Sequence, residues 1–194
     1  VLGVSIGSFD ISIKNILQFN VDSLSKTILL TIRMPRVVLA AFVGASLAIS
    51  GACLQGLFRN PLADPGLIGV SAGAALGAAF SIVFSSYFTF LNFFGPYLIP
   101  FSAIVGSATV IIILFVITRG FGYDGVTYML LAGIAVNAIA GVGIGMLTYI
   151  SDDSQLRSLT FWTMGSFGGV TWPLILPAMV VILFAIIWII GLSR

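Results

Sequence analysis

Charge is what this sequence lacks most. Only 7% of its 194 residues are Asp, Glu, Lys or Arg, against roughly 25% in an ordinary soluble domain. Histidine and glutamate are absent, and all six acidic residues are aspartates. With 59% hydrophobic residues and a mean hydropathy of +1.19, the chain is too apolar for a soluble fold and indicates an integral membrane protein. The net charge of +2 is small and dispersed, so we expect no nucleic-acid partner.

The groups that usually carry catalysis and metal binding are also missing. The one cysteine, Cys53, excludes an intramolecular disulfide and a cysteine metal cluster, and we expect it to be a small, buried packing residue. The two lysines, Lys14 and Lys26, follow no glycine run, so the phosphate loop of ATPases is absent. No histidine base and no nucleophile–base pair is present. We therefore expect no catalytic residue, no metal site, no cofactor and no enzyme activity. A separate ATPase must supply any ATP-driven work.

Long apolar runs, by contrast, are abundant. Five are long enough to cross a hydrocarbon layer of roughly 30 Å as helices, and the connectors hold nearly all the charge. The predicted spans are about 37–58, 67–86, 98–118, 126–150 and 170–192. We predict an all-α, polytopic transmembrane helical bundle that forms a single domain over 1–194, with short interfacial helices. Residues 1–36 are predicted as an extramembrane segment, and 155–168 as a short surface helix that follows a polar cap signal at 151–154.

A packing helix and a sharp corner follow one another between residues 37 and 77. The first span is rich in Gly, Ala and Ser, which let helix backbones approach closely in a membrane. The next stretch, RNPLADPG at 59–66, cannot continue a helix because it holds two prolines, an Asn, an Asp and a Gly. Gly69, Gly73 and Gly77 follow at a spacing of four. This spacing indicates either generic small-residue packing or a special close helix crossing.

Five stretches together resemble the FecCD (BtuC-like) family of permeases, the membrane subunits of ATP-binding-cassette (ABC) importers for iron-siderophores, haem and vitamin B12. They are RMPR at 33–36, GASLAISGACLQ at 44–55, RNPLADPGLIGVSAGA at 59–74, LLAGIAVNAIAG at 130–141 and LRSLTFWTMGSFGGVTW at 156–172. The resemblance implies a homodimeric, multi-pass permease of the bacterial inner membrane. It also implies alternating access for an iron chelate, with haem or a ferric siderophore favoured over vitamin B12. Because the sequence begins at Val1 without a positively charged start, we expect a fragment. The resemblance implies that it is the N-terminal portion of such a permease, since the family's ATPase-coupling loop and later helices follow the last span.

The resemblance also implies two faces with different partners. Arg33 and Arg36 lie three residues apart and share a face on a helical turn. The family's arginines at this position dock a periplasmic substrate-binding protein; the alternative for this pair is interfacial snorkelling. The opposite face is implied to meet the ABC ATPase through a corner made of Arg59, Asn60, Pro61, Asp64, Pro65 and Gly66. This orientation places 1–36 and 155–168 in the periplasm, whereas a count of positive charges gives the reverse.

Two amides, Gln55 and Asn137, are the only ones deep within apolar runs. Each is a candidate for lining the transport pathway, and each could instead bond a neighbouring helix. No charged residue lies within the spans, which argues against an ion-coupled transporter. A secondary transporter or channel with broken helices, or a membrane assembly subunit that transports nothing, remain as alternatives. Membrane lipid is a partner in every case.

Overall fold

The computed structural model describes residues 23–85, 87, 89–121 and 125–192. These residues form helices and turns and contain no β-strand, so the predicted all-α class is confirmed. The chain divides into two compact units. One contains the described residues up to Ile49 together with those from Phe167 onward, and the other is Ser50–Ser166.

The first unit begins with an unbroken helical run. Helix α1, Ser23–Thr27, continues into a π-helical segment, Ile28–Arg33, and then into α2, Met34–Phe58, whose residues from Ser50 onward belong to the other unit. The described part of the predicted extramembrane segment is therefore helical and joined to the first span, because the apolar residues ILLTI extend that span backward. Residues 1–22 lie outside the described residues, and the periplasmic location stays a prediction. The unit ends with α7, Trp172–Leu192.

The described residues of the second unit form four further helices and two 3₁₀ segments. The helices are α3 Val70–Phe84, α4 Leu98–Thr118, α5 Gly125–Ile150 and α6 Asp153–Met164. The 3₁₀ segments are Pro65–Ile68 before α3 and Thr89–Tyr97 before α4.

Among the described residues four helices are long and apolar enough to cross a membrane, by length and composition, where five spans were predicted. The exception is α3, which has 15 residues and is therefore about 22 Å long. The prediction began this span at Leu67, but Gly69 takes a left-handed φ of 82° and separates the 3₁₀ turn from the helix. Helix α6 also differs from the predicted 155–168: Asp152 caps it at its start, and Gly165, with a φ of 71°, ends it.

Within the second unit, α3 packs against α4, α5 and α6. Two buried clusters form the core, one of Ala79, Ile82, Val83, Leu147 and Leu159, the other of Ile68, Val110 and Leu114. Many large apolar side chains elsewhere are exposed; Ile139 on α5, for example, is 70% exposed. Exposed apolar surface on this scale suits a protein whose helices face lipid or further helices rather than water.

Candidate functional site

The first part of the candidate site is the arginine pair that precedes the first long span. Arg33 ends the π-helical segment, and Arg36 lies in the first turn of α2. The Nε–H of Arg36 donates a hydrogen bond to the carbonyl oxygen of Phe167 at 2.9 Å, and Arg36 is exposed. Arg33 is half-buried and also has an interaction partner. Arg36 thus commits one nitrogen to a loop, while its guanidinium group stays open to solvent.

A proline between the two arginines explains why the chain after α6 attaches here. In the π-helical segment the N–H of Met34 donates to the carbonyl of Leu29, five residues earlier. In that register the carbonyl of Leu30 would accept from Pro35, which has no N–H. The indole Nε1–H of Trp172 donates to the Leu30 carbonyl instead, at 2.9 Å. The sequence patterns do not single out Trp172, although a tryptophan at a helix start generally needs a partner for its N–H.

The second part of the candidate site is the corner 59–66, whose side chains hydrogen-bond to backbone groups within the corner itself. Arg59 directly follows α2 and has a left-handed φ of 48°, an uncommon conformation for a residue other than glycine. The Oδ1 atom of Asn60 accepts a hydrogen bond from the backbone N–H of Leu62 at 2.9 Å. Pro61 lies between them and cannot supply a helical donor. Asn60 therefore shapes the loop, and Arg59 is exposed at its edge.

Asp64 completes the corner by capping the 3₁₀ turn Pro65–Ile68. Its Oδ1 atom accepts from the N–H of Gly66 at 2.7 Å, and Pro65 occupies the first position of the turn, where no donor is needed. The Asp64 side chain remains exposed. A small cavity of about 100 Å³ lies beside the corner, lined by Phe58, Asn60, Leu62, Ala63, Asp64, Leu67, Val126 and Leu130.

The two amides predicted as pathway candidates occupy different environments. Asn137 on α5 is half-buried, and its Nδ2–H donates to the carbonyl oxygen of Gly66 at 2.9 Å. This bond reaches the corner, as in the alternative in which the amide bonds a neighbouring element, and the lining of the pathway by Asn137 stays a prediction. Gln55 on α2 is exposed, and no described residue hydrogen-bonds its amide. Gln55 stays a candidate for lining the pathway.

Two of the three spaced glycines lie where α3 crosses α4. A Cβ atom on Gly73 would lie 2.5 Å from Cγ2 of Val110 and 2.8 Å from the carbonyl oxygen of Gly106. A Cβ on Gly77 would collide with the carbonyl oxygen of Ser102, and one on Gly106 with that of Gly73. The two backbones therefore approach so closely that only glycine fits at these positions.

Gly69 has a different role from the other two glycines. Its left-handed φ of 82° separates the 3₁₀ turn from α3, and a Cβ there would lie 3.1 Å from Cγ1 of Val136 on α5. Next to it, a Cβ on Gly133 would collide with the carbonyl oxygen of Leu67. The end of the turn therefore lies directly against the backbone of α5.

An apolar groove of about 670 Å³ lies among α3, α4 and α5. Its lining includes Leu76, Phe80, Phe101, Val105, Ile113 and Ile139. The only side-chain hydroxyls in the lining belong to Ser102 and Thr109, and the Oγ1–H of Thr109 donates to the Val105 carbonyl of its own helix. Such a surface can hold apolar groups.

The start of α6 is fixed by a reciprocal cap. The Oδ1 atom of Asp152 accepts from the N–H groups of Ser154 and Gln155, both at 2.8 Å, and the Gln155 Oε1 atom accepts from the N–H of Asp152 at 3.2 Å. The bond from the Gln155 backbone, followed by that from the Ser154 hydroxyl, lowers the pKa of Asp152 below its ordinary 3.8. The cap predicted at 151–154 is therefore present and ionised at neutral pH.

Among the described residues no group of three or more His, Cys, Asp or Glu could hold a metal ion. Cys53, expected to be buried, is exposed on α2. The reason is that neighbouring Leu54 and Phe58, rather than Cys53, face the core cluster around Leu114.

Comparison with known proteins places these features in a family. The family model of the FecCD transport family matches residues 1–194. The hemin transport system permease protein HmuU of Yersinia pestis is 43% identical over 179 residues, which are 92% of this chain and 53% of that protein. The cobalamin import system permease protein BtuC of Halobacterium salinarum is 38% identical over 80% of this chain and 40% of its own length.

Two further matches are a permease whose name specifies molybdate and a solved transporter structure. The molybdate import system permease protein MolB of Haemophilus influenzae is 32% identical over 89% of this chain and 51% of its own length. A solved inward-facing structure of an ABC transporter, described as of metal-chelate type, superposes with a TM-score of 0.79 at 31% identity. That match covers 94% of this chain and 54% of the other. The chain therefore spans about half the length of the relatives it matches.

Proposed function

The chain belongs to the FecCD transport family, and from that premise we propose that it forms part of the permease subunit of an ABC importer. It is a multi-pass protein of the bacterial inner membrane. The observation that carries the proposal is the match of the family model to residues 1–194. In this function the protein performs no covalent chemistry, and alternating access moves the cargo from one side of the membrane to the other.

We propose an iron chelate as the cargo, with haem or a ferric siderophore favoured over vitamin B12. The HmuU relative, whose name specifies hemin, is 43% identical, against 38% for the cobalamin permease and 32% for the molybdate permease. The chain has no histidine, so it lacks the ligand that would most readily remove iron from a chelate. An intact chelate can pass apolar walls of this kind without losing its metal.

Three protein partners belong to this proposal. A separate ABC ATPase supplies the work, because the chain has no phosphate loop, and it meets the corner 59–66. A periplasmic substrate-binding protein docks near Arg33 and Arg36, where exposed positive charge can steer acidic groups into register. A second copy of the permease completes the central pathway, and the exposed Gln55 of α2 is a candidate for its wall.

Co-purification tests the class of protein. The full-length protein is extracted in mild detergent, and its partners are identified by mass spectrometry. We expect an ABC ATPase in a one-to-one ratio with the permease. An intact, monodisperse protein without any ATPase would contradict the proposal and favour a secondary transporter, a channel or an assembly subunit.

Uptake tests the cargo. The reconstituted complex is offered labelled haem, a ferric siderophore, vitamin B12 and molybdate, each with and without ATP. We expect ATP-dependent accumulation of haem or the ferric siderophore. Accumulation of vitamin B12 or molybdate alone would leave the transport class intact and overturn the choice of cargo.

A further inference from the structure

The turn before α3 is a break in helical structure that lies well inside the bundle. It packs against α5 from Gly133 to Asn137. Asn137 is 12 residues beyond the start of α5 at Gly125, or about 18 Å along the helix axis. Irregular backbone at such a depth is tolerated only where protein groups satisfy its N–H and C=O groups. The sequence must therefore supply partners for this turn from elsewhere.

The peptide groups of Gly66 obtain their partners from both sides. The N–H donates to the Asp64 carboxylate at 2.7 Å, within the corner itself. The carbonyl oxygen accepts from the N–H of Gly69 at 3.3 Å and from Nδ2 of Asn137 at 2.9 Å. The Asn137 bond is the shorter of the two and the one that joins the corner to another helix. It also explains why a half-buried amide occupies an otherwise apolar helix.

We propose that Asn137 is a positioning residue that couples the corner 59–66 to α5, so that movement of the ATPase side reaches the opposite end of the bundle. The inference rests on the proposed function, because it takes the corner as the surface that meets the ATPase. Gly133 and Gly69 strengthen the same junction by allowing the turn to lie directly against the backbone of α5. A corner clamped in this way moves with α5 instead of flexing independently.

The C-terminal end of α5, like its N-terminal half, is connected to neighbouring elements. Asp152 caps α6 directly after α5, and the Nε2–H of Gln155 donates to the carbonyl of Val83, near the end of α3, at 3.2 Å. Leu159 of α6 is 5% exposed and packs in the same core cluster as Val83. Helix α3 is therefore attached to α5 at its start and to α6 at its end. A displacement of the corner is transmitted along both helices to α6.

The variant Asn137→Asp tests the coupling, since aspartate has nearly the same shape and its carboxylate cannot donate to the Gly66 carbonyl. The matched control is Thr148→Val on the same helix, whose exposed hydroxyl bonds only its own helix at Ile144. Full-length permease is reconstituted with its ATPase and binding protein, and cargo uptake is measured per ATP hydrolysed. We expect Asn137→Asp to hydrolyse ATP at about the wild-type rate while uptake per ATP falls about tenfold, a size typical of coupling between sites. Thr148→Val should match the wild type.

A merely structural role gives a different result. It would reduce the amount of assembled complex and leave uptake per ATP unchanged in the complexes that form, which would overturn the proposal. Where Asn137→Asp does not assemble, Asn137→Gln, which keeps the amide donor, is expected to recover both assembly and uptake per ATP. Failure of Asn137→Gln to recover either would also overturn it.

Hydrogen exchange separates this inference from the proposed function. In Asn137→Asp the N–H groups of Leu67 and Gly69 should exchange faster than in Thr148→Val. Equal exchange, in a wild-type protein that does bind an ATPase and transport, overturns the role of Asn137 alone. A wild-type protein that binds no ATPase overturns the proposed function, and the coupling role falls with it.

Discussion

Arg36 stabilises the fold through one hydrogen bond, and we propose that the same side chain also docks a partner. Its Nε–H holds the carbonyl of Phe167, while the exposed guanidinium keeps its positive charge available at the surface. A hydrogen bond to a carbonyl needs only a donor, whereas docking to acidic groups needs the charge. Substitutions that remove one property and keep the other can therefore separate the two roles.

Charge reversal at Arg36 tests the docking role. We expect Arg36→Glu to reduce stimulation of ATP hydrolysis by the binding protein about tenfold or more, because like charges would face each other across the interface. The assembled permease–ATPase complex should form in normal amounts. Stimulation is measured as the ratio of hydrolysis rates with and without saturating binding protein.

Two further variants complete this test. Lys26→Glu reverses an exposed charge on α1, seven residues before Arg33, and should have a much smaller effect. Arg36→Gln removes the charge and keeps an N–H donor for Phe167. Normal stimulation in both Arg36 variants would show that the residue serves the fold alone.

At the level of secondary-structure elements, helices α3 and α4 cross in close contact. Gly73 and Gly77 on one helix face Gly106 on the other. A Cβ atom at any of these three positions would collide with the backbone of the facing helix. Helices in lipid gain no hydrophobic free energy from association, so backbone proximity and van der Waals contact must hold them. The glycine spacing therefore determines how closely these elements pack.

Substitution of Gly77 tests this packing. We expect Gly77→Ala to destabilise the protein by about 1–3 kcal/mol, because the new Cβ would meet the carbonyl of Ser102 and force the helices apart. The control is Gly141→Ala on α5, where nothing lies within 4 Å of the added methyl. That change should be neutral or stabilise by up to about 1 kcal/mol, because alanine is the better helix former. Thermal midpoints in detergent that are equal for the two variants would contradict the close crossing.

The cap of α6 should respond to acid. The folded-state pKa of Asp152 lies below 3.8, chiefly because the carboxylate accepts the Gln155 N–H. A group with a lowered folded-state pKa stabilises the fold above its unfolded pKa, and that contribution is lost as the pH falls through the folded-state value. We expect protection of the Ser154 and Gln155 amides from hydrogen exchange, corrected for intrinsic rates, to hold above pH 3.8 and to decline below it.

Asp152→Asn provides the comparison, since asparagine is also a good helix cap but does not titrate. In Asp152→Asn the protection of the Ser154 and Gln155 amides from hydrogen exchange should not change over the same pH range. An equal acid-induced loss in both proteins would show that another group is responsible.

At the scale of the whole molecule, the charge count and the family resemblance predict opposite orientations of the protein in the membrane. Counting Lys and Arg places the end with Arg36 in the cytoplasm, and the family resemblance places it outside. Three predicted spans, 67–86, 98–118 and 126–150, separate Leu62 of the corner from Asp153 of α6. We therefore expect the two residues to report opposite sides of the membrane.

Cysteine labelling should decide the orientation. In a Cys53→Ser background, single cysteines replace Leu62, which is 86% exposed, or Asp153, which is also exposed. We expect a membrane-impermeant maleimide to label position 153 in spheroplasts and position 62 only in inverted vesicles. The reverse pattern would show that the positive-inside count is right and that the corner lies outside.

Several features could be predicted from the sequence because they depend on local composition. Low charge and long apolar runs determined a helical membrane protein, and the starts or ends of α4, α5 and α7 lie within a few residues of the predicted limits. The corner 59–66 and the cap at Asp152 were also predictable, because proline geometry and short side-chain bonds act within a few residues. The family followed from the motifs themselves.

Contacts between distant parts of the chain were decided only by the tertiary structure. The bond from Asn137 to Gly66 joins residues 71 apart, and the bond from Trp172 to Leu30 joins residues 142 apart. Spacing within one helix cannot indicate such pairs, because each acceptor is a backbone carbonyl next to a break in regular α-helix in a distant part of the chain. The same reason explains why Gly69, spaced like Gly73 and Gly77, ends a turn against α5 instead of joining the α3–α4 crossing.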